Sequence, residues 1–313
     1  MRLPESMTIC EVGPRDGLQN EKQILSVQRK IKLINDVVNA GVKVVEIGSF
    51  VSPKAVPQLA DTDEVAKGIT RRPEVEYRAL ISNLKGAERA IFAGITKVKL
   101  TVSASESHNK SNWNRSTAEV IRGFDDVMEL AAKNGLEVSG AISTAFGCPF
   151  EGNIPREQIM DLIQTFSSMG VTEISLSDTT GMAYPSQVYE ISKIARELFP
   201  SVRFWLHLHN TRGLSMANII AGMQAGIVRF DASFAGLGGC PYAPGASGNV
   251  ATEDVIYMLD LMNIYTGINL NKMIEIARDV RQDVGHETES FILKAGKPLA
   301  LSTRDTDKLQ REV

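Results

Sequence analysis

Two histidines stand two positions apart in the segment His207-Leu208-His209. On a β-strand, residues i and i+2 face the same side of the sheet, so both imidazoles can point into one site and share a cation. The alternative interpretation is a pair of core histidines with satisfied hydrogen bonds. The chain has only four histidines, and two of them at one predicted strand end favour the metal site.

An Arg–Asp pair lies between turn-forming residues in the segment Gly13-Pro14-Arg15-Asp16-Gly17. Such a pair can be a surface ion pair that contributes little to stability. In the functional interpretation, Asp16 binds a metal and Arg15 stabilises a developing oxyanion. The pair directly follows a β-rich run, so we expect both side chains at a strand end.

The loop after the eighth predicted strand, residues 235–254, is rich in glycine and small residues around Cys240. Its permissive backbone can close over a substrate. Cys240 can be an inert buried thiol, or an acid or base at the site. Carboxylate and amide oxygens favour Mg²⁺ or Mn²⁺, and imidazoles also admit Co²⁺ or Zn²⁺. The candidate donors of this mixed set are Asp16, His207, His209 and Asn249.

Two further acids, Glu46 and Asp178, end predicted strands. Each can be a structural N-cap of the following helix. Each can also be a catalytic carboxylate, because catalytic groups of a (β/α)8 barrel project from the C-terminal ends of its strands.

Eight β-rich runs alternate with helical segments, four of which stop at a glycine before the next run. This punctuation is typical of consecutive βα units. It predicts an α/β fold of the (β/α)8 TIM-barrel class, with a doubly wound open sheet as the alternative. We expect a single domain over residues 1–313, with the barrel at about 7–265 and a C-terminal helical extension at about 266–313. The predicted strands are Thr8–Val12, Lys43–Ile47, Tyr77–Ser82, Lys97–Val102, Glu137–Ser143, Glu173–Ser177, Phe204–His209 and Phe230–Ala235.

The composition and charge of the chain argue against several classes of protein. The net charge is −3, from 34 basic and 37 acidic residues without a basic stripe, which argues against nucleic-acid binding. No apolar run approaches the roughly 18–20 residues of a membrane helix, and no targeting segment is expected. The cysteines Cys10, Cys148 and Cys240 are far apart, which fits a reducing, cytoplasmic compartment rather than a disulfide framework.

Taken together, these segments resemble the 3-hydroxy-3-methylglutaryl-CoA lyase family, over nearly the whole chain. The Gly-Pro-Arg-Asp-Gly motif is shared more loosely by the wider group of barrel metallolyases and Claisen synthases, whereas the Gly-Leu-Gly-Gly-Cys-Pro-Tyr loop is highly specific. The segments that carry the resemblance are 12–21, 49–54, 175–179, 207–209, 236–242 and 245–254.

The resemblance implies a divalent metal, an acyl-CoA thioester substrate, the products acetyl-CoA and acetoacetate, and a role for each candidate residue. As such barrels are often dimers, we expect a homodimer. The implied metal ligands are Asp16, His207, His209 and Asn249. The implied catalytic residues are Arg15 at the thioester or enolate oxygen, Cys240 as the proton-transferring thiol, and the carboxylates Glu46 and Asp178. The implied contacts to substrate or CoA are Gln19, Thr179, Ser49, Phe50 and Lys22.

Two segments depart from the family pattern. The histidine pair is followed by Asn210-Thr211-Arg212-Gly213 instead of Asp-Thr-Tyr-Gly, and Ser105–Ser116 also differs, with His108 in it expected to face solvent. These changes bear on the acyl substrate more than on the reaction. The alternatives are a lyase for a longer 3-alkyl-3-hydroxyglutaryl-CoA or related 3-hydroxyacyl-CoA, a Claisen-type acyl transferase, and a non-catalytic metal-binding barrel. Leucine degradation, ketone-body formation and terpenoid catabolism are all compatible pathways.

Overall fold

A computed structural model of the chain describes residues 3–239 and 248–296. Eight parallel strands close into a barrel in which each strand pairs with its neighbours in sequence, and β8 pairs with β1. This closed order confirms the predicted (β/α)8 barrel. The strands are β1 (Thr8–Glu11), β2 (Val44–Ser49), β3 (Glu76–Ile81), β4 (Lys97–Ser103), β5 (Glu137–Ser143), β6 (Glu173–Asp178), β7 (Arg203–Leu208) and β8 (Arg229–Ala232).

Helices follow the strands and surround the barrel. The helical stretch between residues 117 and 134 is interrupted at Gly123, and it ends at Gly135 in the left-handed conformation, as a C-terminal glycine does. The helices are α1 (Val27–Asn39), α2 (Thr62–Gly68), α3 (Leu84–Phe92), α4 (Glu106–Trp113), α5 (Thr117–Arg122), α6 (Phe124–Asn134), α7 (Arg156–Ser168), α8 (Pro185–Leu198), α9 (Ser215–Gln224), α10 (Thr252–Leu261), α11 (Leu270–Val284) and α12 (Phe291–Ala295).

The two faces of the strands have different partners. Outward residues such as Ile174, Leu176 and Leu206 join the large apolar core between the barrel and its helices. Barrel interiors are usually filled with branched apolar side chains. Here a small cluster of Cys10, Val12, Val44 and Trp205 lies inside, and charged side chains also occupy the interior.

The charges inside the barrel are arranged as ion pairs. At the N-terminal end, Arg78 and Lys97 each lie 3.0 Å from Glu173, and all three side chains are buried. An unpaired charge at such a site would destabilise the protein strongly, so each charge needs a partner. Near the C-terminal end, Lys99 lies between Glu46 and Asp231.

Helix α10 holds the beginning of α12. Asp254 on α10 accepts hydrogen bonds from the backbone amides of Phe291 and Ile292, both at 2.7 Å, and so holds the start of α12. Within the two described ranges, none of the helices has the length and apolar character required of a transmembrane segment.

Candidate active site at the barrel mouth

The Arg–Asp pair is presented by a tight turn after β1. Residues Gly13–Gly17 form a short π-helical turn, in which the amides of Arg15 and Asp16 both donate to the carbonyl of Val12, at 3.0 and 2.7 Å. Such turns occur frequently at functional sites. Both side chains are buried at the barrel mouth, so the pair is not a surface ion pair.

Three predicted metal ligands come together at this mouth. Asp16, His207 and His209 each offer a ligand atom, and these atoms all lie within 4.8 Å of one another. The Nε2 atoms of His207 and His209 are 3.0 Å apart, and they lie 3.7 and 3.6 Å from Asp16 Oδ2. Two donors bound at roughly 2.1 Å and at right angles around an octahedral cation are separated by about 3 Å. The histidine spacing therefore fits a bound divalent cation.

Asn249, the fourth predicted ligand, adjoins the other three. It forms a β-bridge with His209, and its Nδ2 donates to Asp16 Oδ2 at 2.7 Å and to the carbonyl of Leu237 at 2.9 Å. Its Oδ1 is buried and has no hydrogen-bond partner among the described residues. An oxygen without a partner beside a carboxylate and two imidazoles is the donor that a hard cation takes.

Close packing around Asn249 requires a glycine. Gly238 has φ +110°, and a Cβ at this position would lie 2.4 Å from Asn249 Nδ2 and 2.9 Å from the Asp16 carbonyl oxygen. Any larger residue would displace both candidate ligands, so the glycine of this loop has a steric role.

Neighbouring charges and hydrogen bonds keep Asp16 ionised, and burial keeps His209 neutral. Burial by itself would raise the pKa of Asp16, but the Arg15 guanidinium and the two imidazoles hold it well below its usual range. Burial lowers the pKa of His209, and the attraction of Asp16 does not reverse this shift. Metal ligands must be deprotonated, and these residues have the required protonation states.

Arg15 is fixed by two carboxylates. Its Nε donates to Glu46 and its Nη1 donates to Asp16. Burial would raise the pKa of Glu46, but Arg15 and Lys99 lower it overall, so Glu46 remains an anion that holds the guanidinium. The arrangement orients a planar set of N–H donors at the barrel mouth.

A further ion pair beneath the metal ligands was not predicted from the sequence. Lys99 Nζ lies 2.7 Å from Glu46 Oε2 and 3.3 Å from Asp231 Oδ2, and Asp231 Oδ2 lies 3.2 Å from His207 Nδ1. Burial would raise the pKa of Asp231, but Lys99 and His207 lower it overall. The sequence held one signal for these residues, namely charges at alternate positions of apolar strands, which face the barrel interior.

A cavity of about 390 Å³ opens above these groups. Several predicted residues line it, and so do residues that were not predicted. The predicted lining residues are Arg15, Asp16, Gln19, Ser49, Thr179, His207 and His209. The other lining residues include Asn20, Lys99, Thr101, Asn112, Trp113 and Asp231.

Other predicted residues do not line this cavity. Glu46 lies below Arg15, and Lys22 is exposed to solvent. Phe50 is only 2% exposed, and its ring packs in the core with the Arg89 guanidinium 5.4 Å from the ring centre. Cys240 lies outside the described residues, although the preceding Gly238 and Gly239 line the cavity.

Asp178 is engaged by the backbone. Its carboxylate oxygens accept from the amides of Met182 at 2.8 Å and Ala183 at 3.1 Å, whereas the neighbouring Ser177 and Thr179 line the cavity. Alternate residues of a strand face opposite sides, so Asp178 points away from the interior. Burial raises its pKa to about 6. The carboxylate therefore orders the loop after β6 and does not form the N-cap considered for it in the sequence, because α8 begins at Pro185 and has Tyr184 as its N-cap.

The two divergent segments occupy different places. His108 was expected to face solvent, which is wrong, because it is 2% exposed on α4 and lines the cavity. Arg212 instead donates to the carbonyls of Thr180 at 3.0 Å and Gly181 at 2.9 Å, and it does not line the cavity. The altered α4 segment therefore reaches the cavity, whereas Arg212 ties the loops after β6 and β7 together.

Two buried glutamates hold the loops of the site. Glu11 accepts from the amides of Gly13 at 2.7 Å and Phe234 at 2.9 Å, which connects the Arg–Asp turn to the segment after β8. Glu253 accepts from the amide of Ala235. Burial raises the pKa of Glu11 to about 7 and that of Glu253 to about 8.

Comparison with known proteins connects this geometry to a family. The family described as HMGL-like matches residues 6–280. The hydroxymethylglutaryl-CoA lyase of Bacillus subtilis is 43% identical over 297 residues, which is 95% of this chain and 99% of that protein. A Pseudomonas aeruginosa protein named 3-hydroxy-3-isohexenylglutaryl-CoA/hydroxymethylglutaryl-CoA lyase is 41% identical, over 94% of this chain and 98% of its own.

A solved structure gives the same relationship in three dimensions. The HMG-CoA lyase of Acinetobacter baumannii, in complex with coenzyme A and 3-methylmalate, superimposes with a TM-score of 0.92 at 42% identity and covers 96% of this chain and 98% of that one. Sequence and structure agree over nearly the full length. The relatives described above are named hydroxymethylglutaryl-CoA lyases. The chain belongs to the HMGL-like family.

Proposed function

We propose that this protein is a divalent-metal-dependent carbon–carbon lyase that cleaves (S)-3-hydroxy-3-methylglutaryl-CoA to acetyl-CoA and acetoacetate. The observation that carries the proposal is the cluster of Asp16, His207 and His209, whose ligand atoms lie within 4.8 Å of one another. The Arg15 guanidinium lines the same cavity. The substrate is inferred from the names of the relatives.

The reaction needs no co-reactant. The C3 hydroxyl gives up its proton, which the net reaction returns at C2, and the C2–C3 bond breaks with its electron pair moving to C2. This step gives acetoacetate and the enolate of the thioester, and the enolate then takes a proton at C2 to become acetyl-CoA. A divalent cation, when bound, supplies a Lewis acid for the hydroxyl and carboxylate oxygens of the substrate. Asp16, His207, His209 and Asn249 would hold it.

Arg15 is the proposed partner of the thioester oxygen. Its contacts with Glu46 and Asp16 use two of the five N–H donors of the guanidinium. The remaining donors are held in a fixed plane, and a donor that is already oriented stabilises developing charge without reorganisation. Glu46 thus serves the reaction by orienting Arg15, and Asp178 by ordering the loop after β6.

The proton for C2 is proposed to come from Cys240. This assignment comes from the family resemblance, and it is supported by the glycines that lead into Cys240 from the cavity wall. Gln19, Ser49 and Thr179 are proposed substrate contacts. Lys22 is a proposed contact of the CoA portion, and the buried Phe50 would act only by supporting the neighbouring Ser49.

The test is acetyl-CoA release from 3-hydroxy-3-methylglutaryl-CoA with Mg²⁺ or Mn²⁺, beside an EDTA control. We expect metal-dependent turnover that collapses in Cys240→Ala. The matched control is Cys148→Ala, which removes a buried thiol 3.0 Å from Ser105 Oγ and should keep its activity. No turnover of any acyl-CoA thioester by metal-loaded protein would contradict the lyase assignment and favour the non-catalytic alternative.

A longer 3-alkyl substrate is the second candidate, favoured by one observation. A neighbouring cavity of about 160 Å³ shares Thr101 and Trp113 with the main one. Trp113 belongs to the segment that departs from the family pattern, so this wall is where an extended acyl group would find room. A higher kcat/KM for a longer 3-alkyl-3-hydroxyglutaryl-CoA than for the methyl compound would select this alternative. Reaction of acetyl-CoA with 2-oxo acids would instead indicate a Claisen-type transferase.

We also propose the metal, the domain organisation, the assembly and the location of the protein. The donor set suits Mg²⁺ or Mn²⁺. One continuous barrel with its C-terminal helices is the proposed single domain of residues 1–313. A homodimer is proposed because closed twofold assemblies are the commonest oligomers. The cytoplasm is the proposed location because the three cysteines are far apart in sequence. Leucine degradation is one pathway that would supply this substrate.

A further inference from the structure

A continuous chain of buried charges crosses the barrel beneath the candidate metal site. It runs from Arg15 through Glu46 and Lys99 to Asp231 and ends at Nδ1 of His207. Arg15 Nε donates to Glu46 Oε1, and Lys99 Nζ lies 2.7 Å from Glu46 Oε2 and 3.3 Å from Asp231 Oδ2. The last link, between Asp231 Oδ2 and His207 Nδ1, measures 3.2 Å.

The topology explains why these residues meet. Asp231 of β8 and His207 of β7 are direct partners in the sheet register, so both side chains point to the same face. Lys99 comes from β4, on the far side of the closed barrel, and its long side chain spans the interior. Lys99 and Asp231 are 3% and 2% exposed, so water does not replace these contacts.

The imidazoles of His207 and His209 differ in the partners of their Nδ1 atoms. His207 has the Asp231 carboxylate at its Nδ1, whereas Nδ1 of His209 is buried and has no hydrogen-bond partner among the described residues. A carboxylate at one ring nitrogen fixes the proton there and leaves the lone pair of the other nitrogen for a ligand bond. The Nε2 atom of His207 is the one that faces Asp16 and His209.

We propose that Asp231 and Lys99 are positioning residues of the metal site. Asp231 accepts the Nδ1 proton of His207, which presents Nε2 of that ring to the cation. Lys99 holds Asp231 and Glu46 at once, and so keeps His207 and Arg15 in a fixed relation. The inference rests on the proposed function only in that a divalent cation binds here; it does not depend on which thioester is cleaved.

The first test needs no variant of Asp231 or Lys99. With four histidines in the chain, the imidazole nitrogens of ¹⁵N-histidine-labelled, chelator-treated protein can be assigned by NMR with the help of a His207→Gln variant. In the neutral form of His207 we expect the proton on Nδ1, which faces Asp231. A neutral His207 that carries its proton on Nε2 would overturn the proposal. This measurement stays informative if a variant of Asp231 does not fold.

The second test compares two buried carboxylates by calorimetric titration of the full-length, metal-free protein with Mn²⁺. Asp231→Asn keeps the shape but removes the charge behind His207, and we expect affinity to fall by about 10–100-fold. Glu173→Gln is the matched control, because Glu173 is a buried carboxylate that is ion-paired to Arg78 and Lys97, and we expect its affinity to stay within threefold.

The outcomes separate this inference from the proposed function. Asp231→Asn with wild-type Mn²⁺ affinity, an equal loss in Glu173→Gln, or no Mn²⁺ binding by the wild-type protein would each overturn the positioning role. A wild-type protein that binds Mn²⁺ but releases no acetyl-CoA would contradict the proposed lyase, while the difference between the two variants would still support the role of Asp231. Partial recovery of affinity in Asp231→Glu, which restores the carboxylate, would also support it.

Discussion

Replacing Arg15 by lysine separates the geometry of the guanidinium from its charge. Arg15 donates from Nε to Glu46 and from Nη1 to Asp16 at the barrel mouth. A lysine ammonium is a compact charge on a flexible stem, and it cannot offer a planar set of donors to two carboxylates and a substrate oxygen together. The variant therefore keeps a cation near Asp16 but loses the oriented donors.

The size of the effect follows from the role assigned to those donors. Loss of one oriented donor to a developing oxyanion costs on the order of 10²–10³ in kcat, or about 2.7–4 kcal/mol. Arg15 and Asp16 are 8% and 5% exposed, so solvent offers little substitute for the missing donor. Because a positive charge remains beside Asp16, Mn²⁺ affinity should fall by less than about tenfold. The loss should appear equally in kcat and kcat/KM, as for an interaction made in the transition state.

The assay is acetyl-CoA release at saturating Mn²⁺, with Mn²⁺ affinity measured separately. Arg29→Lys is the matched control, since Arg29 also pairs with two carboxylates, Asp279 and Asp283, but lies on α1 away from the mouth. We expect the control to keep the wild-type kcat. If Arg15→Lys retained kcat within tenfold, or lost activity only through weaker metal binding, the role of Arg15 as an oriented oxyanion donor would be refuted.

Two further changes probe the loop support and the cavity wall. Burial raises the pKa of Glu253 from 4.5 to about 8. The native state therefore holds a proton that the unfolded chain releases between these values, and the free energy of unfolding falls as pH rises through this window, by up to about 1.4 kcal/mol per pH unit. Glu253→Gln should flatten this dependence in urea titrations from pH 5 to 8.5, and parallel curves would contradict the assignment. Trp113→Ala should join the cavities of about 390 and 160 Å³. The variant should raise kcat/KM for longer 3-alkyl thioesters relative to the methyl compound. The expected gain is roughly fourfold for each buried methylene, from ~0.8 kcal/mol each. An unchanged ratio would exclude Trp113 as the wall between the two cavities.

Local sequence patterns were sufficient to predict the barrel. Strand and helix periodicities depend on neighbouring residues, so all eight strands could be predicted to within a few residues. The largest error is at β8, predicted to reach Ala235 but ending at Ala232. There the chain turns at Ala235, with φ +57°, and Glu253 accepts the amide of Ala235. That acceptor lies 18 residues along the chain, beyond any local pattern.

In the candidate site, too, local patterns identify some residues but not those whose contacts are distant in sequence. His207 and His209 could be recognised because spacing on one strand fixes a shared face. Lys99 and Asp231 could not be joined to them, because their contacts cross a closed barrel and depend on which strands face each other. The segment Lys97-Val98-Lys99 did indicate buried acidic partners, because two charges on one face of an apolar strand need such partners.

Asp178 shows what strand register adds to strand spacing. In the sheet, Ser177 pairs with His207 and Asp178 pairs with Leu208. Paired residues on neighbouring strands share a face, so Ser177 follows His207 into the interior while Asp178 follows Leu208 outward. A shift of one residue between β6 and β7 would exchange these roles and put the carboxylate beside the metal ligands. The sequence places Asp178 at the correct strand end, but only the register of that pair decides that its carboxylate binds the amides of Met182 and Ala183.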